Sequence, residues 1–164
     1  MKLILFRHGL AVDRNEYFGK DDGLRPLVPK GKERTKLCGQ KIKNWLENVD
    51  MIVSSPLMRA QQTAEILHDI FNQAKTLEAP ELAPARSPAA FAQWLRLHAK
   101  KTNQIIAVGH EPHLSTFASW CLAGSQKTFI DLKKSGVICL EFESLEDINA
   151  GSALLKWVIH PKMF

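Results

Sequence analysis

The stretch Leu3-Ile4-Leu5-Phe6-Arg7-His8-Gly9 decides how the rest of this chain is interpreted. Its first four residues are apolar, as in a strand that is buried on both faces of a sheet. Arg7 and His8 follow at the end of that strand, and ligands of open α/β sheets bind outside the carboxyl ends of strands. The pair therefore indicates an anion site with a reactive imidazole, which Gly9 would let a ligand approach closely. Taken alone, the segment is equally compatible with a strand that merely ends in polar residues.

A second buried strand, Met51-Ile52-Val53, is also followed by polar residues and then by a helix. We expect Ser55 to cap this helix and Pro56 to be its first residue. Arg59 falls in the first helical turn, where a cation is unfavourable beside the positive end of the helix dipole. A bound anion between the arginine and the helix terminus would explain it, and a solvated surface arginine is the alternative.

A third strand, Gln104–Val108, ends in a glycine followed by His110, and a helix begins soon after. Because the ends of parallel strands meet at one sheet edge, the polar residues after all three strands should lie together. These residues are Arg7, His8, Arg59 and His110. With no obvious carboxylate among them they would form a strongly positive pocket, for which phosphate is the natural ligand. A histidine in such a pocket can attack phosphorus, and the arginines would keep it neutral and stabilise the transferring group.

The order of elements predicts an α/β fold, a three-layer sandwich with a mostly parallel central sheet. Strands alternate with helical patterns such as Lys30–Val49 and the segment that begins at Ser87-Pro88. The last two strands, Val137–Phe142 and Ala153–Ile159, should form a hairpin at the sheet edge. The chain has 164 residues and no linker or repeat, so we expect a single domain over residues 1–164.

Composition argues against several classes of function. The formal charge of +5 comes from dispersed lysines that do not alternate with aromatic residues, so a nucleic-acid partner is not expected. No charged leader and no apolar run of roughly 20 residues is present, so we expect neither a signal peptide nor a membrane span. The three cysteines lie in apolar patterns, which favours reduced core thiols and a cytoplasmic protein. They are Cys38, Cys121 and Cys139.

Three motifs, in this order, resemble the histidine phosphatase superfamily, which is also called phosphoglycerate mutase-like. They are Arg7-His8-Gly9, the segment Ser54-Ser55-Pro56-Leu57-Met58-Arg59-Ala60-Gln61-Gln62-Thr63-Ala64, and Val108-Gly109-His110. The resemblance covers essentially the whole chain and implies the α/β sandwich of that superfamily. The compact length and Arg25-Pro26-Leu27 ahead of Lys30-Gly31 are most similar to its SixA branch, the phosphohistidine phosphatases.

The resemblance also implies roles for individual residues. His8 would be the nucleophile and would carry the phosphoryl group on a ring nitrogen until water hydrolyses it. Arg7, Arg59 and His110 would bind the phosphoryl group and stabilise the transition state. No metal and no organic cofactor is implied. Arg25 would either contact substrate or, the favoured alternative, anchor the loop in which it lies.

The proton donor is the open position in this assignment. Glu81 stands roughly where many members of the superfamily have an acid, and an ordinary loop carboxylate is the alternative of equal weight. Glu111 and Asp13 are weaker alternatives. A phosphohistidine substrate relaxes the requirement, because imidazole leaves more readily than an alkoxide.

We therefore expect a monomeric phosphatase that acts on phosphohistidine in a phosphorylated protein, such as a histidine phosphotransfer domain. A small phosphomonoester or sugar phosphate is the alternative substrate. Two other classes are weaker. A metal-dependent hydrolase would have to use His110-Glu111-Pro112-His113, whose histidines are three residues apart across a proline, unlike the helical metalloprotease pattern. A non-catalytic phosphate-binding module would need no nucleophile.

Overall fold

A computed structural model describes residues 1–46 and 48–163. Its strands and helices alternate along most of the chain, as the sequence predicts. In chain order they are β1 (Lys2–Arg7), α1 (Pro29–Lys43), β2 (Met51–Ser54), α2 (Met58–Ile70), β3 (Lys75–Glu78), α3 (Pro88–His98), β4 (Gln104–Gly109), α4 (His113–Ala123), β5 (Val137–Glu141) and β6 (Leu154–Ile159).

The six strands form one sheet in the order β3-β2-β4-β1-β5-β6. The first four strands of the chain run parallel, whereas β5 is antiparallel to both β1 and β6. The predicted mostly parallel sheet with a terminal hairpin at one edge is therefore confirmed. The register pairs Arg7 with Gly109 and Ser54 with Val108. The residues after β1, β2 and β4 thus leave the sheet side by side.

Helices cover both faces of the sheet and give the predicted three layers. Along β1, Leu3 and Leu5 belong to the core beneath α3 and α4, whereas Ile4 and Phe6 belong to the core beneath α1 and α2. Both sets are fully buried, because a central strand of a parallel sheet has no solvent-facing side. Substitution of either set would therefore disturb the strand that carries the first polar motif.

Two local predictions differ from the structure. The helix predicted over Lys30–Val49 ends at Lys43, and the apolar pattern continues because Leu46 and Val49 pack into the same core after the helix has ended. The predicted helix cap at Ser55 is wrong. The helix begins at Met58 after a cap residue, Leu57, that makes no side-chain hydrogen bond, and the Ser55 hydroxyl accepts from the backbone N–H of Leu57 at 3.3 Å, ahead of the helix.

Two other expectations, a helix that begins at Ser87-Pro88 and buried, reduced cysteines, are confirmed by the structure. Ser87 caps α3, accepting a hydrogen bond from the backbone N–H of Ala90 at 3.2 Å. All three cysteines are buried and reduced. Among the helices of the described residues, none is long and apolar enough to cross a membrane.

Candidate active site

A cleft of about 280 Å³ lies where β1, β2 and β4 end. It is lined by the four residues that the strand pattern predicts to meet: Arg7, His8, Arg59 and His110. A larger groove of about 510 Å³ between α1 and α2 is lined mostly by lysine and acidic side chains and contains no histidine. The smaller cleft is therefore the candidate for chemistry.

His8 follows β1 and is held as a neutral imidazole. Its backbone N–H donates to the Gly109 carbonyl at 3.0 Å, and its Nδ1 lies 2.7 Å from the Gly9 carbonyl oxygen. A carbonyl only accepts, so Nδ1 carries the proton and Nε2 keeps its lone pair. Burial, with the charges of Arg59 and Arg7, lowers the pKa of His8 to about 3. Near neutral pH the ring therefore offers an unprotonated nitrogen.

His110 faces His8, with their ring centroids 4.9 Å apart and the planes tilted by 53°. Its Nε2 lies 2.8 Å from the hydroxyl oxygen of Ser55, which is buried. Burial, His8 and Arg59 all lower the pKa of His110, so this ring is neutral as well. The sequence predicts that Ser55 lies at a helix end, whereas in the structure its hydroxyl contacts His110 and orients the ring.

The two arginines are fixed through their terminal nitrogens. Arg7 donates from Nη1 to the Leu132 carbonyl at 2.6 Å. Arg59 donates from Nη1 to the Asp22 carbonyl at 2.9 Å, and its Nη2 lies 3.2 Å from the Asp22 carboxylate. Within the described part of the chain, the Nε of each arginine is buried and has no partner. A bound oxyanion would accept from these donors, which fits a phosphate ligand.

Asp22 is a site residue that sequence analysis missed. Its carboxylate contacts Arg25 Nε at 2.9 Å, Arg59 Nη2 at 3.2 Å and Arg14 Nε at 3.5 Å. Burial alone would raise the pKa of Asp22, but these arginines outweigh it and lower the pKa. The expectation of a cationic cluster without a carboxylate is therefore wrong. No spacing in the sequence signals this contact, because it depends on how the loop after β1 folds back.

Arg25 lines the cleft and also anchors this loop. It donates from Nη1 to the Val12 carbonyl at 2.7 Å and from Nε to Asp22. The neck of the loop is closed by an antiparallel bridge between Ala11 and Leu27. The anchoring role is thus present in the structure, and direct contact with a ligand remains a prediction.

The three candidate proton donors occupy different places. Glu111 and Asp13 line the cleft, whereas Glu81 is not among its lining residues. Glu111 is held by Ser115, which donates to it from both its backbone N–H and its hydroxyl. Burial raises the pKa of Glu111 although the bonds from Ser115 oppose it. Glu81 lies in the turn Pro80–Leu82, and one of its carboxylate oxygens is buried with no partner among the described residues.

Gly9 has a different purpose from the one expected. A Cβ at this position would lie 2.5 Å from the Thr35 hydroxyl oxygen and 3.0 Å from the Gly31 carbonyl. The glycine is required because the start of α1 packs directly on the end of β1. The need for a glycine at this position is therefore explained by packing within the protein and not by the approach of a ligand.

The segment His110-Glu111-Pro112-His113 superficially resembles a metal-binding pattern, but its histidine side chains do not meet at one point. His110 lines the cleft, whereas His113 is buried and its ring lies 6.3 Å from that of Phe91, against α3. Over residues 1–46 and 48–163, no three histidine, cysteine or acidic side chains are grouped as metal ligands would be.

Comparisons with known proteins agree with this geometry. Residues 3–83 match the family described as histidine phosphatase superfamily (branch 1). An uncharacterized protein of Picosynechococcus sp. is 40% identical over 141 residues, which cover 85% of this chain and 84% of that protein. The phosphohistidine phosphatase SixA of Escherichia coli K12 is 27% identical over 164 residues, covering 98% and 94%. The solved structure of the protein histidine phosphatase SixA complexed with tungstate shares the fold, with a TM-score of 0.84, 22% identity and 99% of each chain covered.

Proposed function

This chain belongs to the histidine phosphatase superfamily, and we propose that it hydrolyses phosphohistidine in a phosphorylated protein through a covalent intermediate on His8. One observation carries the proposal. The bond from His8 Nδ1 to the Gly9 carbonyl leaves Nε2 as an unprotonated nitrogen in a cleft lined by Arg7 and Arg59. A neutral imidazole beside two guanidinium groups suits attack on a phosphoryl group.

In the first step, the lone pair of His8 Nε2 forms a bond to phosphorus. The bond from phosphorus to the substrate nitrogen breaks, and its electron pair stays on the leaving imidazole, which takes up a proton. The Nε donors of Arg7 and Arg59 stabilise the equatorial oxygens, on which charge is spread in the transition state. The Nη1 of each arginine is already bound to a backbone carbonyl, so the donors are oriented before substrate arrives.

In the second step, water attacks phosphorus and gives a proton to the acid that protonated the leaving imidazole. The bond to His8 Nε2 breaks, its electron pair returns to that nitrogen, and phosphate leaves. His110 faces the intermediate because its ring lies 4.9 Å from that of His8. Its contact with Ser55 fixes the ring, so it can hold a phosphoryl oxygen through both steps. In this role His110 binds the transferring group and does not accept it.

We assign the supply of a proton to the leaving group to Glu111. Its carboxyl lines the cleft, and burial raises its pKa, so the protonated form is more populated than in water. Asp13 is the second acid of the cleft, and Glu81 is not on its lining. The demand on this acid is small for phosphohistidine and larger for a phosphomonoester, whose alkoxide leaves poorly.

The shape of the cleft supports a protein substrate. A volume of about 280 Å³ accommodates a phosphoryl group and the ring that carries it, and the rest of the substrate must lie outside. Small metabolites, in contrast, are usually enclosed by their enzymes. The similarity to the E. coli phosphohistidine phosphatase SixA supports the same substrate class.

The test compares two substrates in the presence of EDTA: a histidine phosphotransfer domain phosphorylated on its histidine, and a generic aryl phosphate. We expect phosphate release from both by the wild type, faster from the protein, and none by His8→Ala. Preference for the aryl phosphate would favour the small-phosphomonoester alternative. Full activity of His8→Ala would refute the mechanism, and loss of wild-type activity with EDTA would support a metal-dependent one.

A further inference from the structure

Phe18 is almost completely exposed to solvent, and no feature of the described part of the fold explains an aromatic side chain at this position. Its relative accessibility is 91%, the highest value among the large apolar side chains of the described residues. It lies in the loop from Asp13 to Leu24, called here the rim loop. Exposed aromatic side chains on ordered segments are typical anchors of protein interfaces.

The rim loop is ordered by contacts within itself. The Tyr17 side chain points inward. Its hydroxyl donates to the Leu24 carbonyl at 3.1 Å, and the Lys20 ammonium lies 5.0 Å from its ring. Gly19, with φ of +78°, then reverses the chain. Phe18 is therefore directed outward at the turn. A backbone segment that is ordered in this way loses little further freedom when a partner covers it.

The surface around Phe18 is continuous with the catalytic cleft. Arg14 lines the cleft and also lines a hollow of about 250 Å³ that includes Phe18 and Lys20. Asp22 lines the same hollow and is bound to Arg59, a residue of the cleft. A partner whose phosphorylated side chain entered the cleft would therefore cover this part of the rim loop.

The charge at the mouth of the cleft is complementary to an acidic partner. Arg14 and Lys134 line the mouth, and the Arg14 side chain is 78% exposed. Asp22 is paired with the arginines that it contacts, whereas Asp21, which accepts a hydrogen bond from the Gly23 backbone, and Glu16 remain acids of the rim loop beyond the cleft residue Asp13. The cleft lining itself carries five arginine and lysine side chains against two acidic ones, so the positive charge is concentrated at the mouth. The cations thus lie toward the phosphoryl group and the aromatic residue lies beyond them.

We propose that the rim loop is the docking surface for the folded protein that carries the phosphohistidine, with Phe18 as its apolar anchor. This inference rests on the phosphatase function proposed above and specifies how its substrate is recognised. The partner surface has an apolar depression next to the phosphorylated histidine, with acidic residues facing Arg14 and Lys20. Neither Phe18 nor Lys20 lines the cleft, so neither takes part in the chemistry.

The test measures kcat and KM on free phosphohistidine and on a histidine phosphotransfer domain phosphorylated on its histidine. For Phe18→Ala we expect kcat/KM on the protein to fall by about tenfold or more, mainly through KM, as for other interface anchors. Hydrolysis of free phosphohistidine should not change. Phe18→Trp should retain the rate on the protein, and Lys20→Glu should lower it. Leu97→Ala, at a site on α3 that is 61% exposed, is the matched control and should change neither substrate.

Equal losses of Phe18→Ala on both substrates, or no loss on either, would overturn the docking proposal. So would a wild type that hydrolyses free phosphohistidine as efficiently as the phosphorylated protein. The proposed function fails in a different way: the wild type would then release phosphate from neither substrate, or His8→Ala would remain active. The two proposals can therefore be rejected independently.

Discussion

The cleft and the rim loop lie next to each other but are built in opposite ways. His8, Arg59 and His110 are 6%, 3% and 2% exposed, and each follows a strand of the central sheet. Phe18 is 91% exposed and belongs to a loop joined to the sheet through a narrow neck. The difference fits the proposed roles: the groups assigned to chemistry are fixed by packing, whereas recognition would be left to a segment that can vary without disturbing the core.

The largest expected effect is the removal of the nucleophile. His8→Ala should lower kcat by roughly 10⁴-fold or more, because a covalent path cannot be replaced by neighbouring groups. The fall in kcat is measured as the rate of phosphate release from a phosphorylated phosphotransfer domain. His98→Ala, on the exposed side of α3, is the control and should retain wild-type activity. A His8→Ala enzyme within about tenfold of wild type would show that the cleft residues do not act as proposed.

The next largest loss of activity is expected when the guanidinium group of Arg59 is replaced. Arg59→Lys keeps the charge but loses the planar group that holds Asp22 with two nitrogens. It also removes the Nε that, in the proposed mechanism, donates to the phosphoryl group. We expect kcat to fall by about 10²- to 10³-fold, as when one transition-state donor is removed. Arg86→Lys, at an exposed position before α3, should have no effect. Equal rates for Arg59→Lys and wild type would mean that charge alone suffices.

Two glycine substitutions compare the stability of the two regions. A Cβ at Gly31 would lie 2.0 Å from the Leu10 carbonyl oxygen, whereas a Cβ at Gly19 has no neighbour within 4 Å. Gly31→Ala should therefore destabilise the fold by about 3 kcal/mol or more, because backbone must move. Gly19→Ala should cost only about 1 kcal/mol, from its positive φ. Urea unfolding measures the free energy of unfolding of both variants. Equal losses would contradict the contrast between close packing behind the cleft and open space around the rim loop.

A matched pair of carboxyl variants tests the proton donor. Glu111→Gln should lower kcat by about 10²-fold on an alkyl phosphate, which needs a proton on its leaving oxygen. The loss on phosphohistidine should be smaller, because its imidazole leaves readily. Glu81→Gln should change neither rate. The reverse pattern would return the role to Glu81, and equal losses of Glu111→Gln on both substrates would indicate a structural role through Ser115.

The last prediction concerns the dependence of stability on pH. The pKa of His8 is about 3 in the folded chain and near 6.5 when unfolded, so between these values the unfolded state binds more protons. Stability should therefore be complete above pH 6.5 and fall as the pH is lowered toward 3, by up to about 1.4 kcal/mol per pH unit for this group. In urea unfolding, His8→Gln should show a shallower loss between pH 6.5 and pH 4. An identical slope would mean that His8 is not buried as a neutral ring.

The sequence predicts the cleft better than the loop, and the reason is physical. Arg7, His8 and His110 directly follow apolar strands, and parallel strands end at a common edge, so local patterns are enough to bring them together. Asp22 meets Arg59 only because the chain folds back between Ala11 and Leu27. No periodicity encodes such a path, and the partners are distant in sequence.

Ser55 shows a second limit of local patterns. Serine before proline is a common helix start, and the pattern predicts a cap. In the folded chain β2 brings this residue beside the end of β4, and the hydroxyl lies 2.8 Å from His110 Nε2 instead. The same hydroxyl accepts from the backbone N–H of Leu57 at 3.3 Å, so it combines a local turn contact with a tertiary one and caps no helix.

The most direct test is to identify the phosphorylated atom. The enzyme is mixed with a phosphorylated phosphotransfer domain, quenched rapidly in base, in which phosphohistidine survives, and analysed by peptide mass spectrometry and ³¹P NMR. We predict a phosphoryl group on Nε2 of His8, absent from His8→Ala, that appears and decays at the rate of turnover. A phosphoryl group on His110 or on Nδ1 of His8, or complete turnover with no labelled histidine, would contradict the account.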